Sequence, residues 1–353
     1  MHEVSALEVI ALQGIPEIAA GDDLAALLLA SAGTLQDGDI VVVSSKVVSK
    51  AAGLTAPLSE RDSAVEAQTV RVVAERRTPR GLAQVVESMA GPVQAAAGVD
   101  ASNTSAATVL LLPPDPDGAA RDVRARLRAL GAPRIAVVIT DTAGRAWRTG
   151  QTDFALGCAG LVVIDDLRGT PDASGTVLEV TERAIADEVA AAADLVKGKA
   201  SGVPAAIVRG LAVFVTEDDG PGAAALLRDP ASDWFRLGHV EAARRSLGLA
   251  PGLVEAPSTQ PETLLHRTQR AATVAGMLGS DGPKLFSIQV VGTIRDMCMV
   301  NITASEAYLV GFITARFLTA MWSENLEIAG SMNADFEALI STMMVKSAEL
   351  PTR

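Results

Sequence analysis

Aromatic residues are scarce in this chain: three Trp, one Tyr and seven Phe make up 3% of its 353 residues. A core of the size this length allows must therefore be built from small and branched aliphatic side chains, and Ala and Val do dominate. Cysteine is as rare. Cys158 and Cys298 lie far apart, and no CxxC or Cys/His spacing exists, so a zinc module is excluded and two buried thiols in a reducing compartment are expected. Histidine is limited to His2, His239 and His266, each isolated, and no Ser/His/Asp or HExxH pattern can be assembled from them. Positive charge is short too: 30 Lys and Arg stand against 42 Asp and Glu, a net −12. Such a balance argues against nucleic acid as a partner but leaves room for a local basic pocket that takes a small anion. The opening "MHEVSALEVIALQG" lacks a basic n-region, so no signal peptide is expected. The best membrane candidate, "AYLVGFITARFLTAMW" (307–322), is too short to span and carries Arg316. It reads as a core helix, and a cytoplasmic protein with no membrane partner is expected. No GxxxxGK[ST] loop is present.

The chain is 49% apolar and 20% charged, enough for a sizeable core and against bulk disorder. Mixed strand and helix signals predict an α/β (α+β mixed) fold. Strands are expected over 7–18, at the start of 39–53, over 107–117 and over 134–142, and helices over 22–33, 63–77 and 119–131. Arg124 and Arg128, four apart, would lie on the exposed face of the last of these helices. Further on, "GTVLEVTERAIADEVAAAADLVKG" predicts a strand running into a helix, and "PAAIVRGLAVFV" another strand. The proline-bearing "LGLAPGLVEAPSTQPE" has no periodicity and reads as a linker. The resulting division is a domain at 1–247, a linker at 248–260 and a small α–ββ–αα module at 261–353, with helices expected at 261–278, 305–325 and 332–348.

Four stretches could carry chemistry. In "ITDTAGRAWRTGQTDFALG", Asp141 and Thr142 end a buried strand, where a carboxylate and a hydroxyl can hold a hard cation, and Arg145 and Arg148 could neutralise phosphate oxygens beside it. A capped turn with surface arginines is the other reading of this stretch. Asp100 and Asn103 stand in the small-residue loop "AAGVDASNT", which could admit a ligand or simply form turns. Ser45 and Lys50 follow a buried strand in "VVVSSKVVSKAAG", a usual place for binding groups but equally a surface loop with lysines. "LQGIPEI" carries a Gly-Ile-Pro turn whose Gly14 would let a base or ribose approach. With imidazole disfavoured, carboxylates, metal and cations remain, a set that suits phosphoryl transfer.

Together "GIPEI", "DGDIVVVSSKVVSKAAG", "VQAAAGVDASN", "VVITDTAGRAWRTGQTD", "AIADEVAAAADLVKGK" and "VRG" resemble the coenzyme F-420-0:L-glutamate ligase family, in its order and at its rough spacing over about residues 7–245. The likeness is greatest to the N-terminal domain of the actinobacterial two-domain form. The resemblance implies an α/β fold in an intertwined homodimer. It also implies use of GTP with Mg or Mn, and a monovalent cation as a further ion, to join L-glutamate to F-420-0 through an acyl phosphate. On the family's pattern Ile15, Pro16, Glu17, Ile18, Ser45, Lys50 and Asn103 would contact the nucleotide. Asp100 and Asp141 would share one metal ion, Thr142 would ligate a second, and Asp141 with Arg145 would act in catalysis. Where many archaeal relatives carry acidic residues, this chain reads Lys199-Ala200-Ser201. Only about 90 residues follow the linker, too few for a flavin-binding reductase domain, so FMN is not expected. A related ligase acting on another phosphorylated carboxylate, and a nucleotide-binding homologue without catalysis, are the alternatives.

Overall fold

The computed structural model describes residues 6–102, 104, 107–199, 201–278, 285–330 and 332–348. The chain forms two compact units, one of Met1–Arg71 with Val86–Ser232 and one of Val72–Val85 with Asp233–Arg353. In chain order the first contains β1 (Glu8–Ala11), α1 (Leu24–Ala32), β2 (Ile40–Ser44), α2 (Ser45–Ala51), β3 (Thr55–Pro57) and α3 (Arg61–Ala67). Next come β4 (Thr69–Thr78) and β5 (Gly81–Ser88), which the unit boundary cuts, then β6 (Val93–Ala95), β7 (Thr108–Leu110) and α4 (Pro116–Ala129). The unit closes with β8 (Ala136–Arg145), β9 (Arg148–Ala159), β10 (Asp165–Asp166), β11 (Glu182–Arg183), α5 (Ile185–Lys197) and β12 (Ala205–Arg209).

Its central sheet has the order β1-β12-β2-β8-β9. The pair β2–β8 is parallel and the other pairs are antiparallel. β2 and β8 read as unbroken aliphatic runs because both faces of the sheet are covered. Side chains alternate across a strand. Val41, Val43, Val137 and Ile139 therefore meet Leu28, Val47 and Leu127 of α1, α2 and α4. Ile40, Val42, Val138 and Val208 meet Ile185, Val189 and Ala193 of α5 on the other side. Ala186, Ala190 and Ala193 are fully buried, so α5 lies close on the sheet. α1 starts where the Asp23 carboxylate accepts the Ala26 N–H at 3.1 Å and stops at Gly33, whose φ of +67° few other residues tolerate.

Three local expectations fail here. The stretch 63–77 is not one helix: α3 ends at Ala67 and Thr69–Thr78 forms β4. Its Thr-Val-Arg-Val-Val core is β-branched at alternate and adjacent positions, and strand pairing with β5 outweighs the helical spacing. Ser45–Ala51 is a helix rather than a loop, continuing directly from β2. Arg124 lies on the buried side of α4, 3% exposed. It donates from Nε to the Ile135 carbonyl at 2.8 Å, from Nη1 to Asp219 at 2.7 Å, and from Nη2 to the carbonyls of Thr216 at 2.7 Å and Glu217 at 3.1 Å. A Cβ at Gly160 would stand 2.4 Å from its Nε, which explains the glycine.

The second unit holds α6 (His239–Ser246), α7 (Leu264–Gly276), β13 (Phe286–Ile294), β14 (Met297–Ala304), α8 (Ala307–Ser323), β15 (Leu326–Ile328), β16 (Asn333–Asp335) and β17 (Ile340–Ser347). The sheet is antiparallel, β13-β14-β17-β15, with β16 also on β17. Cys298, Val300, Ile302, Met343 and Val345 pack on Val274, Ile313 and Phe317 of the two long helices. The helix expected at 332–348 is strand instead. β17 alternates buried Ser341, Met343 and Val345 with half-buried neighbours, a period of two that its methionines disguise. The boundary expected at residue 247 falls inside this unit. The stretch 248–260 lacks regular elements but not contacts: the Arg77 N–H donates to the Pro257 carbonyl at 2.7 Å, the Thr259 N–H to the Arg77 carbonyl at 2.8 Å, and Val254 and Ala256 are buried. No helix among the described residues is long and apolar enough to cross a membrane.

Arg124 anchors three backbone carbonyls and a carboxylate, so removing it strands several acceptors at once. Arg124→Met is expected to cost about 3 kcal/mol of stability, read as a lowered urea midpoint, while Arg128→Met costs under about 0.5 kcal/mol.

Candidate active site

The parallel ladder runs Ile40↔Ala136 to Ser44↔Thr140, so β2 and β8 end side by side. On the other edge of β2, the Ser44 N–H donates to the Pro204 carbonyl at 2.9 Å, just before β12 begins. These three strand ends floor a cleft of about 690 Å³ within the first unit. Its walls are Ile15, Pro16, Glu17 and Ile18 from the loop after β1, Lys46 and Lys50 from α2, Asp194 and Lys197 from α5, and the loop carrying Lys199. Ligand sites outside the carboxyl ends of parallel strands are the common arrangement of α/β sheets.

α2 divides its residues by helical spacing. Lys46, Val47 and Lys50 line the cleft, whereas Ser45 and Ser49 are each 1% exposed and turn inward. Ser45, expected to meet a nucleotide, is therefore buried beside the cleft, and its neighbour Ser44 lines it. Lys50 pairs with Glu17. Lys46 pairs with Asp100 at 2.6 Å and donates to Ser102. Burial pushes the Asp100 carboxyl up, but hydrogen bonds from Lys46 and Ser102 outweigh it and hold Asp100 below the usual carboxylate range.

Asp141 and Thr142 are adjacent in β8 and so project to opposite faces. Asp141 shares a face with Ile139 and feels Lys46 and Asp100; burial pushes its carboxyl up to about 6, against the Thr142 N–H and the Lys46 charge, with Asp153 and Asp100 adding to the rise. Thr142 lies opposite Asp153 of β9 in the ladder. Its hydroxyl donates to Asp153 Oδ1 at 2.6 Å. Thr140 donates to Asp153 Oδ2 at 2.9 Å, and Lys197 Nζ donates to Asp153 Oδ2 and Thr140 Oγ1, each at 2.7 Å.

The cleft thus brings together Ile15, Pro16, Glu17, Ile18, Lys50, Asp141 and Thr142, with Asp100 tied to its wall through Lys46. Asn103 lies outside the described residues. Arg145 and Arg148 face each other in register at the exposed far end of the β8–β9 hairpin and are not among the described residues lining the cleft. Sequence reasoning missed Lys46, Asp153 and Lys197. A signal for Lys197 existed: in "AAAADLVKGK" Asp194 and Lys197 are three apart and end a run of apolar residues on α5.

A carboxylate pair and a hydroxyl are hard oxygen donors, suited to Mg or Mn. Among the described residues no three His, Cys, Asp or Glu side chains form a closed metal cage. Such an ion commonly takes one or two carboxylates and completes its shell with water and phosphate oxygens, so Asp100 and Asp141 fit one ion, while Thr142, on the other face of β8, offers its hydroxyl to a second. Four lysines line the same cleft, Lys46, Lys50, Lys197 and Lys199, and no imidazole or thiol is among its described lining residues. Such a lining can act on a ligand through charge and positioning.

Comparison with known proteins makes the class specific. The model of the family described as F420-0:Gamma-glutamyl ligase matches residues 14–210. A coenzyme F420:L-glutamate ligase of Haloarcula marismortui is 38% identical over 251 residues, 65% of this chain and 96% of the relative. Those of Halobacterium salinarum and Methanopyrus kandleri are 43% identical over 220 residues and 40% over 233, covering 85% and 92% of their own lengths and 56% and 61% of this chain. The chain belongs to the F420-0:gamma-glutamyl ligase family, and is thereby an enzyme that forms carbon–nitrogen bonds.

Asp141 gives a signed pH dependence. Its folded pKa of about 6 lies above the usual 3.8, so its ionisation opposes folding. That penalty is absent below about pH 3.8, develops as pH rises to about 6, and is full above it. Asp141→Asn should therefore match the parent near pH 4 and melt higher than the parent at pH 8 without divalent cation. Equal melting temperatures at pH 8 would refute the environment assigned to this carboxyl.

Proposed function

We propose that this protein ligates L-glutamate to coenzyme F-420-0, using GTP and Mg or Mn, through an acyl phosphate on the acceptor's carboxylate. The observation that supports it most is the pairing, in one cleft, of a carboxylate and hydroxyl set at the end of β8 with lysines from α2 and α5. An ion bound there would supply charge neutralisation at the phosphate oxygens. Lys46 and Lys50, paired with Asp100 and Glu17, are positioned to exchange those carboxylates for phosphate oxygens. The acceptor carboxylate oxygen attacks the γ-phosphorus, the bond to the β-phosphate oxygen breaks, and GDP leaves. The glutamate amine then attacks the acyl carbon, inorganic phosphate departs and the amine nitrogen gives up a proton. The segment Ile15–Pro16–Glu17–Ile18 offers an apolar edge and backbone groups for the base or ribose. The same reading includes a homodimer, whose test is the mass in solution by light scattering.

The reaction is tested by incubating the protein with GTP, Mn, F-420-0 and L-glutamate and following GDP together with the product mass. The expected result is one GDP for each product heavier by one glutamyl unit. Asp141→Asn should lower turnover by at least about 100-fold with an unchanged circular dichroism spectrum. Absence of GDP release with every glutamate acceptor tried would overturn the proposal.

A further inference from the structure

Resting on the metal-dependent reading above, we infer that Asp153 and Lys197 are positioning residues that fix the Thr142 hydroxyl as a lone-pair donor for the cation. A threonine hydroxyl has one proton and two lone pairs. In β8 that proton is given to Asp153 Oδ1 at 2.6 Å, so the lone pairs of Thr142 Oγ1 are left for whatever occupies the cleft that Thr142 lines.

Asp153 itself is committed. Oδ1 accepts from Thr142, and Oδ2 accepts from Thr140 at 2.9 Å and from Lys197 at 2.7 Å. Its side chain is 6% exposed and that of Lys197 is 4%. A carboxylate so buried, held by three donors and neutralised by an ammonium, orients its neighbour and is not a direct ligand. Lys197 closes the arrangement. It also donates to Thr140 Oγ1 at 2.7 Å, so Thr140 must send its own proton to Asp153. Each of these four hydrogen bonds then has a fixed donor: Lys197 to Thr140 and to Asp153, Thr140 to Asp153, Thr142 to Asp153. Three elements contribute, β8, β9 and the last residue of α5, so the direction of the Thr142 hydroxyl is set by the fold and not by a rotamer that solvent could reset.

The test is a double-mutant cycle read by Mn(II) binding, with free Mn(II) followed by electron paramagnetic resonance in the presence of GDP, alongside KM and kcat. Asp153→Asn keeps shape but places an amide where only an acceptor fits, and should weaken Mn(II) binding about 10- to 100-fold. Thr142→Val should weaken it comparably, whereas Thr142→Ser, which keeps the hydroxyl, restores most of the loss. In the Thr142→Val background Asp153→Asn should add less than about threefold, because its effect runs through the hydroxyl. Should Asp153→Asn not fold, Lys197→Met reads the same arrangement and should likewise lose its effect once Thr142 is Val. An undiminished effect of Asp153→Asn or Lys197→Met in the Thr142→Val background would overturn the inference, as would parental Mn(II) affinity in both single variants. Failure of the parent chain to bind Mn(II) at all would instead overturn the metal-dependent reading on which the inference rests.

Discussion

The parallel pairing of β2 with β8 is the constraint on which the candidate site depends. Parallel neighbours end at the same edge of a sheet, and here that edge receives Ser44 and Thr140 in register. Two parts of the site follow within a few residues of those positions: α2 begins at Ser45, and Asp141 and Thr142 continue β8 past its buried run. Had this pair been antiparallel, the ends of β2 and β8 would lie on opposite edges, and the lysines of α2 would not meet the carboxylates of β8. The parallel arrangement needs a long crossover. The chain supplies one between residues 45 and 135, and it includes α3, α4 and the loop that carries Asp100.

Three lysines of the cleft are each paired with a carboxylate. Lys46 holds Asp100, Lys50 holds Glu17, and Lys197 holds Asp153. A cation bound with a polyphosphate would draw carboxylates toward the metal and leave ammonium groups to the phosphates, so the count of opposite-charge contacts need not fall. The pairs differ in how readily they would yield. Glu17 is 83% exposed on its side chain, and an exposed ion pair contributes little. Asp153 and Lys197 are buried, and separating them would leave each charge uncompensated. The Lys50–Glu17 pair is thus suited to exchange and the Lys197–Asp153 pair to permanence.

Much of the first unit was legible in the sequence because its signals are local. Aliphatic runs at the start of 39–53 and within 134–142 marked buried strands, and the stretch 22–33 marked α1. The motif blocks also marked Asp100, Asp141, Thr142 and Lys50. What could not be read depended on partners distant in sequence. Arg124 looks like a surface arginine until Ile135, Thr216 and Glu217 present their carbonyls to it. Asp153 looks like a strand residue until Thr140, Thr142 and Lys197 converge on it. In the second unit the Met and Ala residues of 332–348 suit a helix by propensity, and the pairing of β17 with β14 and β16 decided the outcome.

Alternation along β8 explains why two neighbouring residues can serve one cleft differently. Below Ile139 both faces of the strand are sealed by helices, so alternation only sorts side chains between two cores. Past Thr140 the strand emerges, and its two faces become two walls of polar chemistry. One face carries Asp141 toward the Lys46 and Asp100 side, as a carboxyl that burial pushes up to about 6. The other carries Thr142 toward Asp153 and the end of α5. A single-residue shift in the pairing of β8 with β9 would turn Thr142 to the Lys46 side and Asp141 to the Lys197 side, placing a carboxylate where a carboxylate already stands. The register shift between Ile139 and Thr140 falls at the point of emergence, where the ladder passes from serving the core to serving the cleft.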